Sequence, residues 1–134
     1  MNQGAATGYL AGRPGELGRG LTGFVEELGP QAWKETVVVV LSEFGRTFRE
    51  NGDKGTDHGH GSAYWVLGGQ VRGGRLVGPQ LKLSEATLNQ NRDYPVLTDY
   101  RALIGGLAGR LYGLGPTRLS AVFPGASASD MGLL

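Results

Sequence analysis

The chain has 134 residues and a formal net charge of +1, enough for one domain that buries roughly 65–70% of its unfolded surface if it folds alone. Near-zero charge and scattered arginines exclude the electrostatic footprint of a nucleic-acid binder or an acidic-membrane binder. The absence of cysteine excludes disulfide frameworks, thiolate zinc sites and thiol catalysis, and it leaves the redox compartment open. Glycine, at 25 residues, is far above the roughly 7% average, and it falls between well-patterned apolar segments as expected for tight loops in a folded protein.

Residues 1–14 are small and polar, which predicts a poorly ordered start. A helix is predicted over Glu16–Leu28, because Leu17, Leu21, Phe24, Val25 and Leu28 share one face. Gly29-Pro30 should stop it. Four valines and Leu41 follow, a run of β-branched residues that predicts a strand. The run does not alternate with polar residues, so it reads as an inner strand of a parallel sheet buried on both faces. It is also the longest apolar run, far short of the roughly 20 residues of a membrane helix. Met1-Asn2-Gln3-Gly4 lacks the basic-then-apolar pattern of a signal peptide.

Ser42 to Gly61 is a long polar connection at the carboxyl end of that strand, where open α/β sheets bind ligands. Ala63–Leu67 reads as a second strand, closed by Gly68-Gly69, and Val71–Leu83 as an irregular hairpin. Residues 84–95 are polar and loop-like, with Arg92 and Asp93 as solvated charges. A helix over Tyr100–Leu114, capped by Thr98 or Asp99, presents Tyr100, Leu103, Ile104, Leu107 and Leu111. Ala121–Pro124 suits a short strand or an extended docking segment, and residues 125–134 a mobile tail. The pattern thus reads as α/β, with helices flanking a buried sheet. The strand that should precede the first helix is missing.

Both histidines lie in Thr56-Asp57-His58-Gly59-His60-Gly61. Imidazole and carboxylate are the oxygen and nitrogen ligands of zinc, manganese and non-haem iron. In an extended segment His58 and His60 point to one side and Asp57 to the other, so two imidazoles can share one ion. A glycine-rich surface loop with two solvated histidines explains the same letters. Glu43, just after the valine strand, suits a ligand, a base or a partner for Arg46, whose planar fork can clamp a phosphate or sulfate. Mutual pairing of Glu43 and Arg46 at a strand end is the structural alternative. Gly68–Gly74 is not a phosphate loop, having no Gly-Lys-[Ser/Thr] ending.

Taken in order, Ser42-Glu43-Phe44-Gly45-Arg46-Thr47, Thr56-Asp57-His58-Gly59-His60-Gly61, Gly68-Gly69 and Gly73-Gly74 resemble the bacterial domain-of-unknown-function family 1501, over most of the chain. That family sits with the sulfatases and alkaline phosphatases. The resemblance implies an α/β fold with a partial doubly wound sheet and flanking helices, the C-terminal part of an alkaline-phosphatase-like fold, with metal ligands at strand carboxyl ends. Relatives often read Ala-Asp-His-Gly after the first strand and Gly-Thr-Asp-His later. Here Glu43-Phe44 stands in place of the first Asp-His pair, and phenylalanine cannot ligate a metal. Asp57-His58 matches the second motif, and His60 is an added candidate.

The implied ligands of a divalent metal, zinc or manganese, are therefore His58, His60, Asp57 and Glu43, with Arg46 as anion contact. Family members usually carry a Trp-Asp-Thr-His-like segment before the Asn-Gln that is here Asn2-Gln3. The expectation is a single partial sulfatase-like domain, a fragment of a metal-dependent phosphate or sulfate ester hydrolase, inactive by itself. The rival is a non-catalytic module of the same fold that packs against a partner chain. Either way a missing N-terminal region or partner chain should complete the sheet, self-association is expected without it, and neither nucleic acid nor membrane insertion is implied. The resemblance suggests export of full-length relatives.

Overall fold

A computed structural model describes Gly4 and residues 7–134. Part of the expected disordered start, residues 1–3, 5 and 6, lies outside the described residues. The helix α1 already begins at Tyr9 and runs to Lys34. It is broken at Gly29, whose φ of 69° and ψ of 168° are not helical. Only glycine takes that φ without strain. Pro30, with its fixed φ and no N–H, suits the first position of the short turn that follows. The glycine-proline stop is thus a break between a long arm and a last turn. The predicted apolar stripe is present but lies bare. No residue of α1 is buried, and Leu17 and Phe24 are exposed.

The valine run forms β1 (Val37–Val40), and Trp65–Gly68 forms β4. They pair antiparallel, Val37 opposite Gly68 and Val40 opposite Trp65. This corrects the parallel inner strand. The ribbon has two strands, and neither strand has a second neighbour among the described residues. Val37, Val39 and Val66 turn toward Leu103, Leu107 and Leu133. Val38 and Val40 point to the opposite face, and all four valines are only half-buried. The uniform run had suggested burial on both faces; one face is covered here.

A second antiparallel pair, β2 (Gly45–Arg46) and β3 (His58–Gly59), aligns Arg46 with His58. The chain is therefore mixed helix and strand, consistent with α/β, built on two small antiparallel ribbons.

Helix α2 (Tyr100–Tyr112) matches its prediction closely, with Asp99 accepting from the Arg101 N–H as N-cap. Arg101 also returns to Asp99 at 2.6 Å. Three expectations fail nearby. Val71–Leu83 has no strand pairing. Residues 116–122, part of which was predicted as strand, form α3 (Pro116–Val122), with Pro116 at its first turn; Pro at that position favours a helix start. The tail 125–134, expected to be mobile, is docked. Ser129 N–H donates to the Ala102 carbonyl at 2.9 Å, Arg72 N–H donates to the Leu133 carbonyl at 2.8 Å, and Leu133 is buried. Its apolar Met131, Leu133 and Leu134 supply the core that the short ribbon lacks. Among the described residues only Leu103, Leu107, Leu119 and Leu133 are buried apolar side chains.

Candidate functional site

The two-histidine segment is threaded between two other backbones. On one side lies β2. On the other lies the segment 89–95, which bridges to Thr47 through Asp93. A Cβ on Gly59 would stand 2.6 Å from the Asp93 Cβ, and one on Gly61 would stand 2.6 Å from the Tyr94 carbonyl oxygen. Those approaches are closer than real Cβ atoms tolerate. The glycines of the motif therefore admit the close approach of the 89–95 segment.

This threading gives the two imidazoles different partners. The His58 ring stacks on Phe44 with centroids 4.0 Å apart, and the Arg92 guanidinium donates to the His58 carbonyl at 2.9 Å. The His60 ring turns to Asp93. Its Nδ1 lies 2.8 Å from Asp93 Oδ2, and the His60 backbone N–H donates to the same oxygen at 2.7 Å. The Asn89 amide nitrogen lies 3.1 Å from Nδ1 and also bonds the Asp93 carboxylate. Because a carboxylate only accepts, Nδ1 carries the proton. The amide hydrogen is then spent on Asp93, since two donors do not bond each other. His60 Nε2 has no partner among the described residues, and the side chain is 64% exposed.

Asp93 is 1% exposed, so it is no solvated charge; that reading is corrected. Burial pushes its carboxyl up, but the His60 N–H, the His60 ring and Asn89 outweigh it and hold the carboxyl below its ordinary 3.8.

The other expected site residues are placed differently. Arg46 Nε donates to Thr56 Oγ1 at 2.9 Å, and its Nη2 donates to the Thr56 carbonyl. It does not pair with Glu43, so it ties the 47–57 loop. Asp57 Oδ1 accepts from Asn51 Nδ2 at 2.9 Å, which closes the same loop. Glu43 is exposed and enters no ion pair with a described residue. Among the described residues, no three His, Asp or Glu side chains converge as a metal-ligand group.

Asp93 is the functional candidate that sequence reasoning missed. It lies 33 positions from His60, in a stretch whose polarity reads as loop. The usable signal was the alternation of Gly59 and Gly61, which demands a third backbone close by.

No curated protein and no solved structure matches the chain. Residues 2–123 match the family described as "Protein of unknown function (DUF1501)", and the chain belongs to that family.

Proposed function

We propose that this chain is part of a sulfatase-like protein with an alkaline-phosphatase-like fold, whose full-length form is a metal-dependent hydrolase of phosphate or sulfate esters. One observation carries the reading: the His60–Asp93 pair. A buried carboxylate that fixes an imidazole by Nδ1 is the arrangement that orients histidine for metal binding or proton transfer. With Nδ1 engaged and the side chain 64% exposed, Nε2 is the ring atom left for a metal or a proton. The described residues do not close a zinc or manganese site by themselves, so the ion needs donors from outside them. No bond-making step follows from these side chains alone, and the isolated chain is inactive on this reading. Glu43, Asp57 and His58 stay candidates for a completed site, and Arg46 for an anion contact through the part of its fork that Thr56 does not use.

Calorimetric titration with zinc and manganese tests this. The chain should bind weakly, and a His58→Ala, His60→Ala double variant should not bind. Asp93→Asn should weaken binding roughly tenfold or more, the range for groups that orient a ligating histidine. Unchanged binding in the double variant would move the site elsewhere.

A second reading, a non-catalytic module that packs against a partner chain or an upstream region, is favoured by the α1 stripe, of which no residue is fully buried, and by the ribbon edges left unpaired among the described residues. Exposed strand edges recruit other chains. On this reading the isolated chain self-associates in sedimentation, and restoring the upstream region makes it monomeric. A monodisperse, cooperatively melting 134-residue monomer would remove the second reading.

A further inference from the structure

Beside His60 opens a cavity of about 430 Å³, walled by β4, the 71–79 loop, the 94–98 segment and the start of α2. Its volume lies in the range of small-molecule sites, roughly 300–1,000 Å³. The floor is apolar, with Leu103 and Leu133, and Tyr64, Trp65 and Tyr100 add aromatic walls.

The charges along it have one sign. Arg72 and Arg75 line the cavity, and no aspartate or glutamate does. The two arginines differ in what they already hold. Arg75 Nε donates to the Arg72 carbonyl at 3.0 Å, and its Nη2 donates to the Gly132 carbonyl. Arg75 is thereby a strut between the loop and the tail. Arg72 is fixed by its backbone, which donates to Leu133. Its guanidinium enters no ion pair with a described residue. An exposed planar cation with no counter-ion among the described residues, lining the same cavity as these apolar and aromatic residues, matches a ligand with one oxyanion head and an apolar body.

We propose that this cavity binds a small organic oxyanion, its head on Arg72 and its flat apolar body against Trp65 and Tyr100. The inference goes beyond the hydrolase reading, because it requires neither metal nor His60. Burial of the exposed Trp65 and Leu76 surface supplies the apolar part of the affinity. The arginine supplies the choice between charged and neutral ligands.

Calorimetry on the metal-free chain tests it with four probes: 2-naphthoate, 2-naphthyl phosphate, the neutral 2-naphthamide and inorganic phosphate. Both naphthyl anions should bind, their order distinguishing carboxylate from phosphate heads. Inorganic phosphate and the amide should each bind at least about tenfold more weakly, as loss of a charge-assisted hydrogen bond implies. Arg72→Gln should weaken the naphthyl anions by a similar factor and leave the amide unchanged. Should Arg72→Gln fail to fold, the acid-against-amide comparison on the parent chain still decides. Equal affinity for acid and amide would show an apolar groove only and overturn the proposal. So would anion binding that Arg72→Gln leaves intact, or no binding of either naphthyl anion. Failure of metal binding at His60 leaves this result untouched, so the two readings fall separately.

Discussion

Asp93→Ala is expected to lower the unfolding free energy by about 2–3 kcal/mol, because it strands the His60 N–H and ring that one carboxylate oxygen now satisfies. For a domain with so little buried apolar surface, that is a large share of a total of roughly 5–15 kcal/mol. Chemical denaturation monitored by circular dichroism measures it. A loss under about 0.5 kcal/mol, the level of an ordinary surface change, would mean that the pair holds nothing together.

The same residue sets a pH dependence. Its carboxyl is depressed in the folded state from an ordinary 3.8. The stability it contributes is therefore complete above that unfolded value and is lost as pH falls through the lower folded value. Asp93→Asn should remove this acid branch, so the variant's stability changes less between neutral pH and about pH 3 than the parent's.

The second large effect is expected at Gly106. It faces the tail so closely that a Cβ there would overlap the Ser129 carbonyl oxygen and stand 2.6 Å from its carbon. Gly106→Val must push residues 128–130 off α2. Leu133 then leaves Leu103 and Leu107, which together form the buried core cluster of the described residues. Loss of one buried leucine contact set costs about 2–5 kcal/mol, so the C-terminal half should lose its cooperative melt. The β1–β4 ribbon is coupled to this loss, because Val37, Val39 and Val66 pack on the same leucines. Amide and methyl NMR signals of Leu133 report the undocking directly, and native shifts for Leu133 in the variant would refute it.

Local sequence signals read well where local chemistry decides. Asp99 followed by an apolar stripe gave helix α2 within two residues at its far end. The valine run gave β1, which stops at Val40, one residue short of the expected Leu41. What no local signal carries is a partner. A uniform valine run reads the same whether its neighbour is parallel or antiparallel, and here β4 is antiparallel. Composition made the tail look idle, yet Met131, Leu133 and Leu134 are the apolar residues that the short ribbon needs. The histidine motif was legible as a candidate site, and its segment does pack against Asp93. The pairing of its rings was not legible, because Phe44 and Asp93 claim one imidazole each from opposite sides. A period-2 argument knows the direction of side chains along one strand, not what waits there.

The break at Gly29 has a mechanical meaning. The last turn of α1 is riveted to the ribbon, Gly69 N–H donating to the Trp33 carbonyl at 3.1 Å and Gln70 Nε2 to the Lys34 carbonyl at 2.9 Å. Among the described residues the arm before the glycine has no such rivets. A rod of that many residues is about 30 Å long, comparable to the diameter of a small domain. The break at Gly29 therefore divides α1 into a turn whose position the ribbon sets and a long lever whose position it does not.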